Sequence, residues 1–193
     1  MIPSCRSLSS PILEEGIASP LESAGWITIG TKTMCRNKSK VFRKQLALAQ
    51  KVGLLLLLHC RNAHEDFMNI LKPFLGCVKA VVHCHTDPSI RNTKELVDAA
   101  CYIGSSGIVC DERPGRFNPD IVQYIPEDRL IVESDSQFLI PRTTPSGKRD
   151  QHRSNEPCLV PFVVRRISHL TGRSELEIAH KSAEVAKEFF RLE

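Results

Sequence analysis

No apolar run in this sequence reaches the roughly 18 residues that a membrane-spanning helix needs, so no membrane span is expected. The amino-terminal stretch holds one Arg but no apolar core of signal-peptide length, which argues against secretion. CxxC pairs are missing as well. The eight cysteines look like a disulfide set only until their positions are read. Cys60, Cys84, Cys101 and Cys110 fall in or beside apolar strands, so the expectation is reduced, buried thiols in a cytoplasmic protein, with the nucleus also open to it. Strong charge of one sign is lacking too. A formal charge of +4 permits a polyanionic ligand without requiring one. The basic stretch Thr31 to Lys40 has no interleaved aromatic residue on which bases would stack, and it reads as a solvated loop.

What is present is a sharp transition. From Gly53 the chain reads GLLLLLHCRNAHEDF, an apolar run that stops at His59 and gives way at once to polar residues. Five consecutive leucines suit a strand buried on both faces of a helix-covered parallel sheet, and the run is too short for an ordinary helix. His59 then stands at the carboxyl end of the strand, where the loops of α/β folds converge. The pattern recurs in KAVVHC, which ends at His83, and in RLIVESD, which ends in acids. Three strand ends would thus place His59, His83 and Asp135 on one rim. Glu133 reads equally as a buried hydrogen-bonding partner or as an acid catalyst.

The remaining elements alternate. Residues 25 to 30 suit a short strand, Val41 to Val52 a helix burying Phe42, Leu46 and Ala49, and His64 to Leu75 a helix closing near Pro73. Ser89 to Ala100 reads as a helix, Cys101 to Ile103 as a strand, and Asp111 to Arg113 as part of a surface loop. Two helices end the chain. The first carries Val160, Val163, Val164, Ile167 and Leu170 and stops at Gly172. The second opens with a Ser174–Glu177 capping box and is expected to bury Leu176, Ala179, Ala183, Ala186 and Phe190. The segment from Met1 to Ser23 is Ser- and Pro-rich without periodicity, so 1–24 is expected to be irregular and 25–193 to form one α/β domain.

The motifs HCRNAHEDF, VVHCHTD, YIGSSGIVCDER, RLIVESDSQFLIPR and SNEPCLVP, in this order, resemble the carboxyl-terminal half of the TatD family of metal-dependent deoxyribonucleases. The resemblance covers Val41 to Glu193, is weaker over Gly25 to Gly30, and is absent before that. It implies a TIM-barrel metallohydrolase truncated to about five βα units, an incomplete barrel. It also implies one or two divalent ions (Mg²⁺, Mn²⁺ or Zn²⁺) and cleavage of DNA phosphodiesters by metal-activated water. His59, His83 and Asp135 match the family's metal ligands. Arg61 matches the arginine after the first histidine, and Asn155 and Glu156 match an NEP signature near the site. Asp135, Arg61 and Glu156 are accordingly the expected catalytic residues, with Arg61 or Arg153 offering phosphate contacts.

Several positions depart from the family pattern. Thr31 stands where the family has a metal-bridging glutamate, His85 where it has phenylalanine, Asp87 where it has glycine, and Gln137 where it has proline. Two imidazoles and one carboxylate suffice for a single Zn²⁺ with an open position. Loss of the bridging carboxylate weakens a second site, so the expectation is a nuclease of reduced activity, with a non-catalytic scaffold binding nucleic acid or a partner protein as the alternative. Five βα units cannot close an eight-stranded barrel, and two copies pairing through an open sheet edge would form a homodimer.

Overall fold

The computed structural model describes residues 26–31, 36–144 and 154–192. The amino-terminal segment expected to be irregular lies outside the described residues, as do His152, Arg153 and most of the Pro- and Arg-rich stretch that begins at Pro141.

Five strands, β1 (Trp26–Thr31), β2 (Leu55–Cys60), β3 (Ala80–Val82), β4 (Tyr102–Ser105) and β5 (Leu130–Val132), form one sheet in the order β1-β2-β3-β4-β5. Every neighbouring pair is parallel. Each strand lies beside the next one in sequence, so the winding never reverses. That is the order of a barrel arc, as expected, and differs from a doubly wound sheet with its switch point. Between and after the strands lie α1 (Arg36–Val52), α2 (His64–Leu71), α3 (Ile90–Asp98), α4 (Val160–Thr171) and α5 (Glu175–Phe190).

Period-two alternation divides the strand residues between two faces. On one, Leu56, Leu58, Val82, Ile103 and Leu130 pack with Phe42, Leu46 and Ala49 of α1, Phe67 and Leu71 of α2, and Val163 and Ile167 of α4. Phe42 and Phe67 stack at 5.4 Å. Each such side chain taken fully out of water contributes about 1.5–3 kcal/mol. On the opposite face Leu55, Val81, Tyr102 and Ile131 form a second cluster with Val185 and Phe189 of α5. The histidines His59 and His83 share the parity of this second face and sit above it, at the carboxyl ends of β2 and β3.

Three local expectations need correction. Helix α1 begins at Arg36, inside the basic segment expected to be loop. Once Phe42, Leu46 and Ala49 anchor the core face, basic residues elsewhere on the helix do not oppose its extension. Helix α5 buries Ile178, Ser182, Val185 and Phe189, while Leu176 is 69% exposed. The buried set shares one helical face and carries the large Val185 and Phe189, whereas alanines at the expected positions offer little apolar area. Ser182 faces inward because its hydroxyl accepts the Val132 N–H at 2.7 Å. Glu133 N–H points the other way, to Ser105 of β4. Ser182 therefore engages the edge amide that a further strand would take, and pairing of two copies at β5 would meet a group already satisfied. The third correction concerns Asp111. It is buried, and the Arg113 guanidinium forks onto it through Nε and Nη2 at 2.8 and 2.5 Å. Arg142 approaches the same carboxylate at 3.9 Å. The Arg113 hydrogen bond holds Asp111 below the usual carboxylate range, against the opposing effect of burial.

Candidate metal centre

The strand register decides which side chains meet. β2 and β3 are in register at Leu58 and Val82, so His59 and His83, one residue further along, leave the sheet side by side. Their ring centroids are 5.8 Å apart with a 45° tilt. β4 and β5 pair Ser105 with Val132, which sets Gly104 against the next outgoing side chain of β5, Glu133. A Cβ on Gly104 would stand 2.8 Å from Glu133 Oε1 and 2.9 Å from Oε2, so only glycine leaves this carboxylate its room.

Glu133 uses that room to reach across two strands. Its Oε2 accepts a hydrogen bond from His83 Nδ1 at 3.0 Å, and its Oε1 accepts one from the Cys84 backbone N–H. Both oxygens are thereby engaged, which favours the partner reading of Glu133 over the acid-catalyst one. Cys84 itself has φ 47°, so the chain turns immediately after β3 with its amide aimed at Glu133. A carboxylate on Nδ1 fixes the tautomer and leaves the Nε2 lone pair of neutral His83 outward.

Nε2 faces Asp135 Oδ1 at 3.4 Å. Two donors each about 2.1 Å from a shared ion at the tetrahedral angle stand roughly 3.4 Å apart. The His83–Asp135 pair thus carries a spacing that fits a divalent cation, with Glu133 behind, whereas the expected trio of His59, His83 and Asp135 does not bring its ligand atoms within 4.8 Å of one another. Burial lowers the affinity of His83 for its proton, but the Glu133 hydrogen bond and the charges of Glu133 and Asp135 outweigh it and leave its pKa raised. Ligand atoms of His83, Cys84 and Glu133 do lie within 4.8 Å of one another. Cys84 is the weaker candidate in that trio: burial pushes its thiol up to about 12, and its Sγ donates to Asp135 Oδ2 at 3.4 Å. Its observed contact orients the carboxylate.

Asp135 is held from the other side by Asn155. The buried Asn155 amide donates to the carbonyls of Ser134 and Phe138, both at 2.6 Å, and of Leu139 at 3.4 Å. Its backbone N–H bonds Gln137 O at 3.1 Å. One side chain, distant in sequence, ties down the whole loop that follows β5.

Arg61 is exposed at the first position after β2. Glu156 is exposed beside Asn155, with Cys158 Sγ at 3.5 Å. Thr31 ends β1 in register with Cys60. His85, where phenylalanine was the family pattern, is 3% exposed and points away from the rim, with Nε2 against Thr93 Oγ1 at 2.9 Å. Asp87, where glycine was the family pattern, has no positive φ, so the aspartate stands there without backbone strain. It accepts from Ser89 N and Asn92 Nδ2 at 2.9 and 2.8 Å and braces the start of α3. Gly104 and the clamping role of Asn155 escaped sequence reasoning. A glycine inside an apolar strand was the available signal for the first.

A parallel arc in sequential strand order, with His83, Glu133 and Asp135 meeting beyond the carboxyl ends of its strands, defines the class: an incomplete TIM barrel with a polar rim. The particular family follows from comparison. A family model described as TatD related DNase matches residues 30–191, and the chain belongs to that family. The 3'-5' ssDNA/RNA exonuclease TatD of Erwinia tasmaniensis is 40% identical over 152 residues, which are 78% of this chain and 58% of the relative. The protein of the same name from Pectobacterium parmentieri is 37% identical over 159 residues, 80% of this chain and 59% of the relative. This chain thus spans under two thirds of the length of these curated relatives. Among solved structures, the TatD homolog YJJV of Escherichia coli superposes with TM-score 0.74 at 22% identity, covering 86% of this chain and 62% of that one. A TatD family hydrolase from Entamoeba histolytica superposes with TM-score 0.70 at 17% identity, covering 94% and 65%. Among the described residues no helix is long and apolar enough to cross a membrane.

Proposed function

We propose that the chain is a metal-dependent phosphodiesterase of nucleic acid, with DNA as substrate, using His59, His83 and Asp135 to hold one divalent cation. The observation that carries this reading is the 3.4 Å approach of His83 Nε2 to Asp135 Oδ1 while Nδ1 is anchored on Glu133 at 3.0 Å. When bound, Mg²⁺, Mn²⁺ or Zn²⁺ would supply Lewis-acid polarisation of a phosphoryl oxygen. The side chains do the rest. Glu133 keeps His83 in the tautomer that presents a lone pair, and Asn155 keeps the Asp135 loop in place. Arg61, exposed at the rim, gives a phosphate bidentate hydrogen bonds. Glu156, carried by the same segment as Asn155, is the candidate proton carrier, to be tested by E156Q. Thr31 withholds the second bridging carboxylate, so one ion is the expected complement and activity is reduced accordingly.

The test is metal stoichiometry by elemental analysis together with degradation of end-labelled DNA. The purified chain should bind about one ion and degrade the strand, and H83A and D135A should each lose both properties. Equal background activity with no bound metal in all three proteins would refute the enzyme reading and leave a non-catalytic scaffold.

A further inference from the structure

Phe138 is 63% exposed, three residues beyond Asp135 on the loop that Asn155 clamps. Its backbone is held by hydrogen bonds on both sides. The Phe138 N–H donates to Asp135 O at 2.8 Å, closing a turn with that carboxylate's residue, and its carbonyl accepts from Asn155 Nδ2 at 2.6 Å. Next to it, Leu139 adopts φ 51°, and its carbonyl lies so close to Gly107 that a Cβ there would come within 1.8 Å. The loop is thus wedged against the 3-10 turn Gly107–Cys110 and tied by a buried amide, while the ring it carries stands in water. An isolated surface apolar residue is ordinary. A ring on a backbone pinned at both ends, within one turn and about 7 Å of the Asp135 Cα, is not placed by chance of loop motion.

We propose that Phe138 is a specificity-determining residue of this site: a stacking surface for an unpaired nucleobase adjoining the phosphodiester held at the Asp135 rim. This rests on the function proposed above. A flat aromatic face binds any base without reading its edge, and stacking requires that the base be free of its duplex neighbours. The ring therefore selects single strands over duplexes. The loop supplies preorganisation, because the residues on either side of the ring are already fixed before the strand arrives. The small positive net charge of +4 is compatible with a backbone drawn to the same rim.

The test uses the full chain with Mg²⁺ and a phosphorothioate-linked strand that resists cleavage, so that binding is read without turnover and with the cation present. A short single-stranded DNA carrying 2-aminopurine near its 3' end is titrated with wild type, F138L and F138W. Loss of the aromatic face in F138L should weaken binding roughly 5- to 150-fold and abolish the stacking quench of 2-aminopurine. F138W should restore both. Equal affinity and equal quench in wild type and F138L would overturn the stacking assignment while leaving the phosphodiesterase reading intact. No binding by wild type would overturn the nucleic-acid reading, and the stacking role with it. Affinity for a blunt duplex should be the same in wild type and F138L; a matching loss on duplex would assign Phe138 to backbone contact and refute stacking. A lower urea midpoint for F138L without DNA would show that the chain itself covers the ring, and would also refute the proposal.

Discussion

His85 makes acid sensitivity a direct consequence of burial, and H85F should remove it. The imidazole is 3% exposed, with Nε2 on the Thr93 hydroxyl and Nδ1 buried without a partner. Burial drives its pKa down to about 4, with His64 adding to the effect and Asp87 opposing it. In the unfolded chain the same group titrates near 6.5. Between those values the unfolded state takes up a proton that the folded state refuses, so stability falls as pH falls. The loss is about 1.4 kcal/mol per pH unit, and about 3 kcal/mol across the whole window. A cation held by His83 would repel the imidazolium and push in the same direction. Phenylalanine deletes the titration. Thr93 then keeps its hydrogen bond to Ser89 O at 3.1 Å, and the orphan Nδ1 disappears. The larger ring costs some overpacking, but that cost does not vary with pH. Urea unfolding at pH 8 and pH 5, followed by far-ultraviolet circular dichroism, reads the result. Wild type should lose about 2 kcal/mol more than H85F between the two conditions, roughly 1 M in midpoint. Parallel losses in the two proteins would mean that His85 is protonated in the folded state, and the reasoning from burial would fail.

Other consequences are equally specific. G104A should drive the Glu133 carboxylate from its place, cost about 2 kcal/mol in unfolding free energy through its two lost hydrogen bonds, and weaken Zn²⁺ affinity at least about tenfold in a chelator competition. Unchanged Zn²⁺ affinity would show that Glu133 does not orient His83. N155A strips three carbonyls of their donor and should lower both the unfolding midpoint and the metal affinity, with N155D worse because a carboxylate repels the same oxygens; a normal Zn²⁺ affinity in N155D would separate Asn155 from the site. S182A should free the Val132 amide at the sheet edge, costing about 1 kcal/mol and shortening the protection of that amide in hydrogen exchange. D111N should lose stability above about pH 4, where the depressed carboxylate is ionised in both states and its Arg113 pair is intact, and the difference from wild type should fade as pH drops through the folded-state pKa; a constant difference down to pH 2 would refute the pairing.

Along the chain, what could be read without coordinates was whatever depends on near neighbours. Apolar runs ending at His59 and His83 announced buried strands, the spacing of Phe42, Leu46 and Ala49 announced a helix face, and Ser174 with Glu177 announced a cap that forms as a reciprocal pair. Alternation of strand and helix was enough for a parallel sheet, and the motif order was enough for the TatD family. The meeting of His83 with Asp135 was also foreseeable, because parallel strands that terminate together must release their last side chains on one rim. Contacts between distant segments were not legible. A glycine inside the β4 strand marks a close approach but not that the group it clears is the Glu133 carboxylate just beyond β5, and nothing local to Asn155 marks it as the tie for a loop some twenty residues earlier. The inward face of α5 was misread for the same reason. Helical periodicity permits several faces, and only the edge amide of Val132 and the ring of Tyr102 select the one bearing Ser182 and Phe189. Pattern determines which surfaces an element can bury; the neighbour that arrives from elsewhere in the chain determines which of them it does.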